Sequence, residues 1–155
     1  MDQPAKLAFK ASLKRWALDH LGQRIATTNE AMQQAQEAAN SEEKSSAGDK
    51  YETGRAMGHL QKDMHARQLA ELVRELAALH AVNVDQLCQE AKIGALLRTE
   101  EIDFFISVGL GRQTIDSRTV VFLSPLAPLT RTLQNKQTGD SIIFQKEPLP
   151  IVQIF

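Results

Sequence analysis

Between residues 7 and 39 the chain repeats one spacing. Leu7, Ala11, Lys14, Leu18, Leu21, Ile25, Thr28, Met32, Ala35 and Ala39 are separated by alternating steps of four and three, and all but Lys14 and Thr28 are apolar. That rhythm is the one at which an α-helix keeps a single stripe turned toward a partner helix. A strand, whose faces alternate every second residue, cannot use it. The spacing therefore predicts a long helix over about 5–39 and a second helix to cover its stripe. Toward its far end the stripe thins to alanine, which lets the partner approach closely. Phe9, Leu13 and Trp16 lie off the stripe. They predict a second apolar face near the start of the helix, docked on something else.

The partner helix is predicted over about 50–80. Met57, Leu60 and Met64 make one apolar patch; Leu69, Leu72, Leu76 and Leu79 continue in steps of three and four, after a gap that breaks the register. Gly54 and Gly58 each cost about 1 kcal/mol relative to alanine inside a helix. Opposite the alanine-rich end of the first helix, they are read as permitting close packing. A connection of about ten residues makes the two helices antiparallel neighbours. Thirty-five helical residues would extend roughly 50 Å, so the hairpin is expected to project its tip away from the rest of the chain.

Composition changes near residue 80, from Ala, Gln, Leu, Glu and Lys to Ile, Val, Phe, Thr, Gly and Pro. This is a change from helix formers to strand formers. IGALLRT, EIDFFISV, TVVFLS, SIIFQK and PIVQIF read as strands bounded by turn residues, and LGRQTIDS as a turn with a further short strand. Ser124 suits a helix N-cap and Pro125 the first helical position, so a short helix is expected there. Thr138-Gly139-Asp140 turns the chain into the next strand. The expected fold class is α+β. An antiparallel coiled-coil hairpin occupies 1–82 with its tip at about 40–50, a connector 83–91, and a small antiparallel sheet with one short helix 92–155.

The formal net charge of −1 gives no overall attraction to nucleic acid or to an anionic membrane. Aromatic residues at 5% are sparse for a surface that stacks bases. No window approaches the eighteen apolar residues of a membrane span, and no signal peptide is expected. Cys88 stands alone, so no internal disulfide forms and a reducing, cytoplasmic setting is the simplest expectation. Cys88 reads as a half-buried connector residue rather than a nucleophile. His59 and His65 are six apart, the wrong spacing for a shared metal on one helix face; with His20 and His80 they read as surface or seam residues. The predicted tip, NSEEKSSAGDKYETGRAM, gathers Glu42, Glu43, Asp49 and Glu52 around Tyr51. Asp49 and Glu52 also suit the first turn of the second helix, where acids favour the helix dipole, and Glu42 and Glu43 suit a solvated loop.

A long hairpin followed by a strand-rich unit carrying SPLAPL…KQTGDSIIF resembles the Gre family of bacterial transcription factors (GreA/GreB-like). The elements that carry the resemblance are Ser124-Pro125-Leu126, the stretch Leu129 to Leu133, Lys136-Gln137-Thr138-Gly139-Asp140, and Ile142 and Ile143. It covers nearly the whole chain, and the C-terminal match is its more specific part. It implies an FKBP-like C-terminal domain without isomerase chemistry, docked at the rim of the RNA polymerase secondary channel. Ser124, Pro125, Leu126, Lys136, Gly139 and Asp140 are the docking candidates. The hairpin would enter the channel, where Glu42, Glu43, Asp49, Tyr51 and Glu52 are the tip candidates for reaching a Mg²⁺ that the polymerase holds. Hard oxygen ligands suit that ion. No catalytic residue and no cofactor of the chain's own is implied, nor sequence-specific nucleic-acid binding. Aligned on Tyr51, the two acids of the family's cleavage-stimulating tip fall on Lys44 and Ala47. The resemblance therefore implies polymerase binding more than transcript cleavage. A coiled-coil adaptor for an unrelated protein is the alternative.

Overall fold

A computed structural model describes the backbone of residues 1–43 and 48–155 and the side chains of 1–41 and 52–155. Its class is α+β: an N-terminal helical hairpin followed by a mixed sheet with one short helix. Helix α1 runs Gln3–Glu43 and α2 runs Gly48–His80. Both are longer at the tip than the sequence suggests, so only residues 44–47 separate them. Asp2 starts α1 by accepting the Ala5 N–H on Oδ1 at 2.9 Å, which satisfies one of the helix's orphan donors.

The chain divides into two compact units, Met1–Leu18 with Ala78–Phe155, and Asp19–Ala77. Both boundaries fall inside helices. In the 19–77 unit the predicted stripe of α1 is kept. Leu21, Thr28 and Ala35 are buried, and Ile25, Met32 and Ala39 are half-buried. The facing stripe of α2 keeps the predicted Leu69, Leu72 and Leu76, Leu72 buried and the other two half-buried. Toward the tip it is continued by half-buried Gly54, Gly58 and His65, whereas Met57, Leu60 and Met64 are more than half exposed. The sequence patch is thus an outward face, and the apparent register break at Met64 disappears once glycine and histidine are counted in the seam. A Cβ added at Gly58 would sit 2.9 Å from the Ala39 Cβ. Close approach of the two backbones near the tip requires glycine there, as expected.

In the other unit, five strands line up in the order β3 (Gly111–Ile115), β4 (Arg118–Leu123), β2 (Ile102–Ile106), β1 (Leu96–Arg98) and β7 (Gln153–Ile154). β2 and β4 run parallel, Phe104 opposite Val121 and Phe105 opposite Phe122. The sheet is therefore mixed, correcting the expectation of a purely antiparallel one. The cause is that β3 forms a tight hairpin with β4 and stays at the edge, leaving β4 beside β2. Every residue of β2 is buried, the mark of a strand covered on both faces. One face bears Ile102, Phe104, Ile106, Val121 and Leu123. It packs on Leu133 of helix α3 (Pro128–Leu133) and on Ile142, Phe144 and Leu149 of a two-stranded hairpin, β5 (Ser141–Phe144) with β6 (Glu147–Pro150). The other face bears Phe105 and Phe122, and Trp16 of α1 stacks on Phe122 with ring centroids 5.5 Å apart. The second apolar face predicted at the start of α1 is this contact.

In the antiparallel β5–β6 pair, Pro148 faces Ile143 and Pro150 faces Ser141. Proline has no N–H to give, so the ladder bonds fall on the alternate pairs, Ile142 with Leu149 and Phe144 with Glu147. Both two-residue hairpin turns, Asp116-Ser117 and Gln145-Lys146, hold positive φ without glycine, the requirement of the turn that matches strand twist.

Candidate functional site

The acidic candidates at the tip are split by the fold. Glu42 and Glu43 close α1, and Asp49 and Tyr51 belong to the first turn of α2. Their side chains, and Lys44 and Ala47, lie outside the described residues. Glu52 is exposed. Because α2 begins at Gly48, Asp49 is inside the first turn, as expected, and a carboxylate there favours the helix dipole. Among the described residues no group of three or more His, Cys, Asp or Glu could hold a metal.

Of the docking candidates, Ser124-Pro125-Leu126 do not begin a helix. Ser124 O accepts the Ala127 N–H at 3.1 Å, closing a β-turn with Pro125 at its second position, where proline's fixed φ is favoured. Helix α3 then starts at Pro128 with Ala127 as its N-cap. The second proline of SPLAPL is the helix starter, which corrects the sequence reading of Ser124 and Pro125. The turn is pinned by Thr130 Oγ1, which donates to Ser124 O at 2.7 Å, and it leaves Leu126 78% exposed. The second group is also a built turn. Asp140 N–H donates to Gln137 O at 3.0 Å, Gly139 takes φ +96°, and the Asp140 carboxylate accepts the Gln137 N–H at 2.7 Å. Asp140 is thus committed to its own turn. Lys136 lines an open depression of about 760 Å³ with Leu87, Gln89, Glu90, Lys92 and Asn135.

Sequence reasoning missed a fully buried carboxylate. Asp103 on β2 has no exposed surface. The β1–β2 register sets Arg98 opposite it, and Arg118 reaches it from the start of β4. Each guanidinium binds both carboxylate oxygens, Arg98 at 2.8 and 3.1 Å and Arg118 at 2.7 Å twice. The hydrogen bonds to Asp103 hold Arg118 above its ordinary pKa, against the opposing effect of burial. Arg98 also lies over the Phe9 ring at 4.8 Å and the Phe155 ring at 5.4 Å, so the network ties α1 and the last residue to the sheet. The available signal was an aspartate inside an otherwise apolar strand, IDFFI, since charges enter such strands only when paired.

A second cluster also went unread. Lys10 is fully buried, and its Nζ donates to Gln86 O at 2.7 Å and lies 3.8 Å from Cys88 Sγ. Burial pushes the Lys10 pKa down; contact with Cys88 opposes this, and the charge of Lys92 adds to it. Cys88 is buried at 5% exposure rather than half-buried. Lys14 Nζ donates to His80 O at 3.0 Å and Val82 O at 2.7 Å, satisfying carbonyls left open where α2 ends.

Among the described residues no helix is long and apolar enough to cross a membrane. No protein-family model matches the chain, and no curated protein matches it in sequence.

Proposed function

We propose that this chain is a Gre-like accessory factor that binds RNA polymerase through its secondary channel and modulates transcription. The observation that carries the reading is the order of parts: a helical hairpin, then an α+β unit whose SPLA and QTGD segments are rigid, hydrogen-bonded turns. Turns fixed in this way present Leu126 and Lys136 at little entropic cost on binding, which favours a docking role. With Lys44 and Ala47 at the positions of the two tip acids, the proposed activity is occupancy of the channel without stimulation of RNA cleavage. The chain supplies no catalytic group; Mg²⁺ and its activated water belong to the polymerase.

The test mixes the purified chain with core RNA polymerase stalled in a backtracked complex and follows binding and RNA length together. Binding at micromolar concentration with RNA unchanged is the expected result. Binding with shortened RNA would restore the cleavage role to Glu42, Glu43, Asp49 and Glu52. No binding would sink the polymerase reading and favour a coiled-coil adaptor, for which the outward face of Met57, Leu60 and Met64 is the observation in support.

A further inference from the structure

We propose that Lys10 and Cys88 form a redox-sensitive covalent link, in which a hydroperoxide oxidises the thiol and the lysine amine captures the product as a sulfur–nitrogen bond. The two groups are 78 residues apart in sequence, and the fold holds Nζ 3.8 Å from Sγ. Lys10 has no exposed surface, and among the described residues no carboxylate lies within ion-pairing distance of it. A buried ammonium without a counter-ion is costly, so burial pushes the Lys10 pKa down and raises the share of neutral amine above that of an exposed lysine. A neutral amine has a free lone pair and is the nucleophilic form. One Nζ donor is anchored on Gln86 O, which keeps the nitrogen beside the sulfur. Leu87 and Gln89, on either side of Cys88, line the open depression that also holds Lys92. A small oxidant therefore has a route to within one residue of the thiol.

The chemistry balances in two steps. The thiol and hydrogen peroxide give the sulfenic acid and one water. The amine lone pair then attacks sulfur, the S–O bond breaks, and the oxygen leaves as a second water with the proton released from nitrogen. The two-electron oxidation is supplied wholly by the peroxide. Sulfenic acids condense with nitrogen nucleophiles in this way, and thiols reverse the product. The link joins the start of α1 to the segment after α2 and spares Cys88 from irreversible sulfinic and sulfonic oxidation.

The full-length chain is treated with a graded excess of hydrogen peroxide, denatured with an alkylating agent, digested and mapped by mass spectrometry, with and without dithiothreitol. The expected product is one covalent pair of peptides carrying residues 10 and 88, lighter than their sum by two hydrogens, about 2 Da, and returned to free peptides by dithiothreitol. In Lys10→Arg, which keeps a cationic donor, the pair disappears and Cys88 proceeds to sulfinic acid; Lys10→Met serves if the arginine variant does not fold. The thermal unfolding midpoint of the native chain rises on oxidation, and that of the variant does not. Recovery of Cys88 from the native chain as free thiol, as sulfinic or sulfonic acid with Lys10 unlinked, or as an intermolecular disulfide overturns the proposal.

Discussion

Helix α1 up to residue 18 and the turns beyond it bury different kinds of side chain. Up to residue 18 the helix buries Lys10, Leu13 and Ala17, sets Trp16 on an aromatic ring of the sheet, and leaves Leu7, Ala11, Lys14 and Leu18 only half-buried. From residue 21 it buries Leu21, Thr28 and Ala35, on the heptad stripe the sequence announces. One helix thus obeys two packing rules. Against another helix the period of 3.5 residues decides which positions are covered. Against a sheet the covered face follows the large side chains that fit it. The sheet-facing part also buries the amine-bearing Lys10, whereas the buried positions of the hairpin part of α1 are Leu21, Thr28 and Ala35.

Removing a charge from the sheet side breaks the comparison hardest. Asp103→Ala leaves two guanidiniums facing each other without their carboxylate, and a loss of about 3–5 kcal/mol is expected from urea unfolding. A loss below 1 kcal/mol would mean that water replaces the carboxylate freely. On the hairpin side the largest expected effect is Gly58→Ala. The added Cβ meets Ala39 at 2.9 Å, and overpacking of roughly 1–3 kcal/mol is offset in part by about 1 kcal/mol of helix propensity. Ala39→Gly in the same chain should relieve the overpacking, so the two substitutions will not add. Independent, additive effects would show that the helices are not in close contact there.

Lys10 sharpens the contrast through pH. Its pKa in the fold lies below the ordinary 10.5, so between the lowered value and 10.5 the unfolded chain holds more protons than the folded one. Stability then rises with pH across that window. The burden of the buried charge is fully present below the folded pKa and is gone above 10.5. Lys10→Met should remove this rise, and unfolding midpoints measured from neutral to alkaline pH will show whether the slope disappears. The smallest effect belongs to the outward face of α2. Leu60 is 70% exposed, so Leu60→Gln should change stability by no more than about 0.5 kcal/mol. A larger loss would mean that the face is covered in solution, and sedimentation of the same sample would show the partner copy.

What the sequence revealed and what it hid follow the same divide. The stripe of α1 beyond residue 21, the close approach at Gly58 and the aromatic face of Phe9, Leu13 and Trp16 were all legible, because spacing and side-chain size carry that information. The seam of α2 was legible at Leu69, Leu72, Leu76 and Leu79 and at the close-packed Gly54 and Gly58. It was not legible between them, where His65 takes a seam position that no hydrophobicity pattern marks and Met57, Leu60 and Met64 look like core and are not. The parallel pairing of β2 with β4 depends on which strand ends up at the edge, a long-range choice that local pattern does not encode. β6 was hidden because Pro148 and Pro150 argue against a strand, and only an edge position reconciles them. The partners of Asp103 and Lys10 lie in other elements, and no spacing rule joins residue 10 to residue 88.

The alternation of prolines in β6 also bears on how the chain behaves when many copies are crowded together. With Leu149 and Glu147 turned toward β5, the positions that face outward from β6 are Pro148 and Pro150, and neither has a hydrogen to offer. A strand arriving from a neighbouring molecule finds acceptors along that border and no donors, so it cannot zip on. The short hairpin is in this sense self-terminating: it can be completed by its own β5 and extended by nobody else on that side.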